Sequence, residues 1–205
     1  DYVDPLTENI KLEAGIRGSI RSVSNNNFNF IQNGPGEELQ QIVTPFDEFL
    51  YTDNVYAAYS TISQKIGTWS YQVGLRAESS FYTGEIGNGE RFTNNFPISL
   101  FPSIFITKEL NETDNIQFSV SRRVQRPNFF QLIPFTDYTD SLNLRRGNPN
   151  LIPEFTNSVE LSYQNILNDN HNILVTAYYK RANNLITGFQ IAEIDETTGR
   201  TALIN

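Results

Sequence analysis

Hydrophobic and polar residues alternate with a period of two along much of the chain. In segment 69–82, apolar residues occupy most odd positions from Trp69 to Phe81, while polar or small residues occupy the even positions from Ser70 to Ser80. Because successive side chains of a strand point to opposite faces, this pattern predicts a β-strand with one apolar face and one polar face. Clear alternation also occurs in 11–21, 116–121 and 155–163, and weaker alternation in 1–6, 54–63, 96–108, 173–181 and 185–194. The chain is therefore predicted to be all-β, with eight or nine strands and no helix.

The connections between these predicted strands alternate in length. Short ones are expected at 7–9, 64–68, 109–115 and 165–172, and long ones at 24–49, 83–95 and 125–153. In an antiparallel up-and-down sheet, this order places the short turns at one end and the long loops at the other, as in an outer-membrane barrel. The pattern favours a segment of a transmembrane β-barrel whose apolar face meets lipid. The polar face, directed to the interior, would carry Arg17, Arg76, Glu78, Arg123 and Glu160.

Composition removes several classes of function. The 205 residues have a formal net charge of −8 and include no Cys or Met, which leaves no thiolate metal site or thiol nucleophile. Nucleic-acid binding is not expected, because it requires a basic stripe. No enzyme activity, metal or cofactor is predicted, since the single histidine, His171, lies in a polar turn and no Gly-x-Ser-x-Gly motif occurs. The least charged stretch, 96–107, is too short for a membrane-spanning helix and contains two prolines.

One long segment is specific enough to indicate a family. The sequence SRRVQRPNFFQLIPFTDYTDSLNLRRGNPNLIPEFTNSVELSY, Ser121 to Tyr163, resembles the barrel signature of TonB-dependent receptors from Bacteroidetes, with its Arg-x-x-Arg-Pro and Gly-Asn-Pro-x-Leu-x-Pro-Glu motifs. The segments DYVDPLTENIKLEAGIRGS and YAAYSTISQKIGTWSYQVGLRAE are similar to the same barrels. The resemblance therefore covers nearly the whole chain.

The resemblance implies a location in the cell outer membrane and import of a large nutrient such as a siderophore, glycan or peptide. It also implies a barrel of about 22 strands, a plug domain and the energy-coupling partner TonB. No plug-like sequence is found, so residues 1–205 are expected to be part of one barrel domain, with the plug domain absent from this chain. An interior or processed piece of a longer protein is expected, with unpaired strands at both edges.

Arginines cluster where the strand ending near Gln125 enters the longest loop. By period two, Arg123 points to the polar face, and Arg126 lies at the loop junction. A functional interpretation is a rim that contacts the plug or an anionic ligand, because arginine binds carboxylates bidentately. The structural alternative, which we favour, is a ladder of charges pairing with Glu78 or Glu160 on neighbouring strands.

The loop 125–153 combines aromatic and planar polar side chains, which suit a sugar or siderophore site. The structural alternative is that the aromatic residues pack the loop onto itself and that Gly147-Asn148-Pro149 is a turn. We favour the structural role, because similar receptors that carry different cargo share this pattern. The candidates for contact with ligand or plug in this loop are Phe129, Phe130, Asp137, Tyr138, Arg145, Arg146 and Asn148.

Trp69 and Tyr71 follow a short turn on the predicted lipid-facing side. This is the position of an aromatic girdle at the membrane interface, which we prefer over a core role in a soluble sheet. Two alternatives to the receptor segment stay open: a soluble or surface-attached β-sandwich that binds a ligand, and a small self-contained outer-membrane barrel.

Overall fold

The computed structural model describes residues 1–42, 47–87, 89–132, 136–137, 145–168, 171–194 and 201–204. These described residues form fourteen strands and one short helix, α1 (Phe129–Leu132). In chain order the strands are β1 (Tyr2–Thr7), β2 (Ile10–Asn26), β3 (Asn29–Ile31), β4 (Gln40–Ile42), β5 (Glu48–Ile66), β6 (Trp69–Ile86), β7 (Arg91–Glu109), β8 (Asp114–Gln125), β9 (Thr136–Asp137), β10 (Arg145–Arg146), β11 (Glu154–Asn168), β12 (His171–Asn183), β13 (Ile191–Ile194) and β14 (Thr201–Ile204). No helix in the described ranges could span a membrane.

Eight strands form one antiparallel sheet in the order β1-β2-β5-β6-β7-β8-β11-β12. Each strand pairs with its neighbours along the chain once the short ribbons β3-β4 and β9-β10 are set aside, so the predicted up-and-down order is confirmed. β1 and β12 lie at opposite ends of the sheet and do not pair with each other. The predicted ninth strand, 185–194, is wrong in part, because its strand portion β13 pairs with β14 in a separate ribbon.

The alternation of short and long connections is confirmed with one correction. Residues 83–95, predicted to be a long loop, belong mostly to strands, and four residues, 87–90, join β6 to β7. Here Tyr82 pairs with Asn94 and Gly84 with Phe92, so the hairpin extends past the expected strand ends. Long connections remain at 27–47 and 126–153. We call the end of the sheet that carries them the loop end, and the opposite end the turn end.

The two faces of the sheet differ in what covers them. The outer face carries the apolar residues of the alternating pattern, such as Val73 and Leu75, which are 48% and 50% exposed. The opposite face, here called the covered face, carries Arg76 and Glu78 and is partly covered by residues of 126–153. The predicted face assignment therefore agrees with the register of the strands.

The prediction of a polar interior is wrong at the loop end. There the covered face is aromatic, and Phe49, Tyr51 and Tyr82 are at most 2% exposed. Tyr51 stacks on both Phe49 and Tyr82, at 6.5 and 6.0 Å between ring centroids. Adjacent rings on one sheet face supply large apolar area. The main hydrophobic core of the described chain thus lies on the face that the pattern predicted to be polar.

Candidate functional site

The 126–153 connection packs onto the covered face through a leucine. Leu132, the last residue of α1, is fully buried and contacts a group of aromatic and aliphatic side chains that we call the aromatic dock. The dock consists of Phe49, Tyr51, Tyr82 and Ile86, with Phe92, Phe96 and Leu151 packed against it. Leu132 and Leu151 thus anchor the connection to the strands, whereas Phe130, one of the aromatic residues predicted to pack the loop onto itself, is 77% exposed.

Hydrogen bonds within the connection hold it in this position. The backbone N–H of Asn128 donates to Gln131 Oε1, and the N–H of Gln131 donates to Asn128 Oδ1, both at 2.9 Å, so the two side chains cap α1 reciprocally. The N–H of Asn148 donates to the carbonyl of Gln131 at 2.7 Å. Asn94 Nδ2 on β7 donates to the carbonyl of Pro149 at 2.5 Å. These bonds join both arms of the connection to each other and to the sheet.

The loop end of β7 can contact the connection because its pairing with β8 ends at Ser103. β7 pairs with β6 along nearly its whole length, but its pairing with β8 runs only from Ser103 and Ser121 to the turn end. Phe101 lies at this divergence, where its ring stacks on Phe155 with centroids 6.2 Å apart. Pro149 therefore contacts the part of β7 that β8 leaves unpaired.

Charged side chains lie beneath the docked connection. Arg126 forms an ion pair with Glu78, and Arg76 binds the same carboxylate through two hydrogen bonds of 2.6 and 3.0 Å. Nearby, Arg21 pairs with Asp53 at 2.9 Å. Glu78 is 7% exposed, so its charge depends on these arginines for compensation.

This charge cluster, defined as Arg17, Arg21, Asp53, Arg76, Glu78 and Arg126, has more positive than negative members. Burial lowers the pKa of the Arg126 guanidinium, the carboxylate of Asp53 opposes this, and the charges of Arg76 and Arg17 lower it further. Within the described residues, Asp53 Oδ1, Tyr82 OH and Arg126 Nε are buried without a hydrogen-bond partner. The cluster has donors and positive charge to offer a group that enters from the covered face.

A cavity of about 280 Å³ lies on the turn side of the cluster, lined by residues that include Tyr59, Thr61, Arg76 and Phe101. A larger depression of about 600 Å³ lies at the turn end, far from the docked connection. No group of His, Asp or Glu in the described ranges is arranged to hold a metal ion. The smaller cavity is the one that adjoins the charge cluster.

The predicted site residues separate into anchored and exposed groups. Arg126 belongs to the charge cluster, whereas Arg123 is exposed on the covered face. The predicted pairing of the arginine cluster with Glu78 is found at Arg126, and Glu160 pairs instead with Lys180 at 3.4 Å. Arg76 and Arg126 on Glu78, and Lys180 on Glu160, are ion pairs of the covered face.

Phe130 is 77% exposed, and Arg145 and Arg146 are exposed in the β9-β10 ribbon. Asn148 Oδ1 accepts the N–H of Asn150 at 2.9 Å, in agreement with a turn at this position. For Phe129 and Asp137 the structure gives the backbone, in α1 and β9, and Tyr138 lies outside the described residues.

The aromatic pair Trp69 and Tyr71 lies on the outer face directly after a turn. The two rings stack with centroids 6.1 Å apart, and Lys108 Nζ lies 4.8 Å from the Trp69 ring. Lys108 also donates to Thr68 Oγ1 at 2.6 Å. An aromatic ring next to a cation and a turn is typical of the membrane interface. The interfacial position of Trp69 and Tyr71 remains a prediction.

Sequence reasoning missed the aromatic dock and Asp53. Phe49, Tyr82 and Phe92 fell inside or next to segments predicted to be loops, so their shared face was not recognised. The signal was nevertheless present, since Phe49, Tyr51 and Asp53 alternate, as do Tyr82, Gly84 and Ile86.

Comparison with known proteins agrees with this architecture. The profile of the outer membrane protein beta-barrel family matches residues 1–205, and no curated protein matches. The FrpB iron transporter from Neisseria meningitidis (F3-3 variant) superposes with a TM-score of 0.56 at 11% identity, over 99% of this chain and 29% of that one. The siderophore receptor PirA from Pseudomonas aeruginosa gives a TM-score of 0.44 at 14% identity, over 98% of this chain and 55% of that one.

At such low identity the FrpB superposition shows a shared fold, and this chain spans less than a third of the transporter's length. The predicted class, an antiparallel transmembrane barrel segment, and the predicted outer-membrane location are confirmed. The outer face is accordingly the lipid-facing side, and the covered face lines the barrel interior. The chain belongs to the outer membrane protein β-barrel family.

Proposed function

We propose that this chain is part of the barrel wall of a TonB-dependent receptor that imports a large nutrient. The family match and the fold shared with an iron transporter support a role in transport rather than catalysis. The Bacteroidetes type is supported by the sequence resemblance of Ser121 to Tyr163. A siderophore, a glycan or a peptide fits the combination of aromatic rings, amides and arginines around the docked connection.

We further propose that residues 1–205 belong to one larger barrel domain of about 22 strands. The supporting observation is that β1 and β12 end the sheet without pairing with each other. An unpaired backbone group in lipid costs several kcal/mol, so these edges require other strands. The alternative of a small self-contained barrel has no support from this strand order, and the family match argues against a soluble β-sandwich.

The observation that carries the receptor proposal is the arginine-rich cluster beneath a docked connection on the interior face. In a receptor this face meets the protein's own plug domain, and TonB acts through the plug. Arg126 is held by Glu78, so its role is to anchor the connection. Arg123, Phe130, Arg145, Arg146 and Asn148 are exposed and are the residues we assign to contact with cargo or plug.

Uptake by the full-length protein tests this proposal. The protein is expressed in a Gram-negative host that lacks its own receptors, and uptake of ferric siderophores, oligosaccharides and peptides is measured with and without TonB. We expect uptake of one cargo class that stops when TonB is deleted. If the protein took up all three cargo classes equally well without TonB, the proposal would be contradicted.

A further inference from the structure

Two arginines project from the lipid-facing side of the barrel wall. Arg122 on β8 and Arg181 on β12 both pair in register with Asn157 on β11, which lies between them. Paired residues of neighbouring strands share a face, so these three side chains form one row. Because adjacent strands lie about 4.8 Å apart, the two arginine Cα atoms are about 10 Å apart. All three residues are exposed.

This row interrupts the apolar pattern near the loop end of β8, β11 and β12, where one more outer-face row, Val124, Phe155 and Asn183, follows it. The next outer-face row toward the turn end is Val120, Val159 and Tyr179, and the apolar residues continue from there. An arginine on the lipid face costs about 2 to 4 kcal/mol at mid-membrane but about 0 to 1 near an interface. Two arginines in one row are tolerated only near an interface, so we infer that this row lies close to the lipid headgroups. Long loops of such barrels are extracellular, so this is the outer leaflet.

The positive charge of this row has no acidic partner in the structure. Within the described residues, neither Arg122 nor Arg181 lies within ion-pair distance of a carboxylate. The single acidic residue on the outer face of β8, β11 and β12 is Asp114, at the turn end. Arg122 instead places its guanidinium over the Phe155 ring, 4.8 Å from the centroid, which restricts its orientation.

We propose that Arg122, Asn157 and Arg181 form a binding site for the phosphate group of an outer-leaflet lipid. Guanidinium groups bind phosphate bidentately, and the Asn157 amide supplies a further donor between them. The acyl chains of the same lipid would lie on the apolar row of Val120, Val159 and Tyr179. The site faces away from the barrel interior and is independent of the cargo.

Lipid retention by the full-length protein tests the site. The protein is purified in detergent, incubated with lipid A, and retained lipid is counted by native mass spectrometry. For the double variant Arg122→Gln/Arg181→Gln we expect retention to fall about tenfold. The matched control is Lys180→Gln, which removes a positive charge from the residue next to Arg181 on the opposite face and should retain lipid A as the wild type does.

Two further probes distinguish the source of the phosphate. Dephosphorylated lipid A should bind wild type and double variant equally weakly, and inorganic phosphate at matched concentration should not displace lipid A. Equal retention of lipid A by the wild type and the double variant would overturn the proposal. Displacement by inorganic phosphate would also overturn it, in favour of a site for free anions.

Discussion

The two faces of β6 show how one strand serves two different surroundings. On the outer face, Val73 and Leu75 are about half exposed, although they are the most apolar part of the pattern. On the covered face, Glu78 and Tyr82 are 7% and 1% exposed. Burial therefore follows the docked connection rather than the hydrophobicity of the strand.

The difference shows that two separate mechanisms stabilise this wall. The outer face gains its stability from lipid, which replaces the protein core that a soluble sheet would need. The covered face gains stability from ring packing around Leu132 and from the charges around Glu78. Substitutions on the two faces should consequently differ in how strongly they depend on the lipid.

The largest effect is expected for Leu132→Ala in the full-length protein. Removing a fully buried leucine side chain leaves a cavity in the aromatic dock and should lower the free energy of unfolding by about 4 kcal/mol. Denaturant unfolding in lipid vesicles, followed by tryptophan fluorescence, measures the change. Ile98→Ala is the control, because Ile98 is 72% exposed on the outer face. Equal losses for both variants would show that the connection does not dock.

The next effect tests the lipid-facing side. Val73→Arg should cost about 2 to 4 kcal/mol if Val73 lies near mid-membrane, because a charge enters hydrocarbon. Gln72→Arg, on the opposite face, should be tolerated. The same unfolding measurement in vesicles compares the two variants. If both behaved alike, the face assignment would be wrong.

A somewhat smaller effect is expected for Glu78→Gln. The substitution removes the carboxylate that binds Arg76 and Arg126 and should cost about 2 kcal/mol, the scale of hydrogen bonds to charged groups. It should also loosen the connection, so limited trypsin digestion after Arg145 and Arg146 should accelerate. Glu85→Gln, at the more exposed pair with Arg91, is the control and should leave the digestion rate unchanged.

The smallest effect concerns pH at the turn end. Hydrogen bonds from Tyr163, Asn165 and Asn111 lower the pKa of Asp114 from 3.8 to about 2. A lowered carboxyl pKa contributes stability above the unfolded pKa, and this contribution is lost as the pH falls from about 4 to about 2. Across this pH window, the free energy of unfolding should fall more steeply for the wild type than for Asp114→Asn. Parallel curves would contradict the role of Asp114.

How far the sequence predicted the site depended on where each residue lies in its strand. The faces of Arg76, Glu78 and Arg123 followed from period two, because the alternation is unbroken in those segments. The arginine cluster was predicted to pair with Glu78 or Glu160, but the choice of Arg126 and Glu78 did not follow from the sequence, since Arg126 lies in a loop with no periodicity. Asn148 was correctly interpreted as a turn residue because proline and glycine flank it.

The sequence by itself determined the strand order, the face of each alternating residue and the kind of membrane protein, because these depend on local alternation and on the spacing of turns. The tertiary structure decided which residues are buried. Leu132, Tyr51 and Tyr82 are distant in sequence, and they meet because the 126–153 connection folds back over the sheet. No local pattern encodes such a contact, since its free energy comes from apolar area that is buried when the two segments come together.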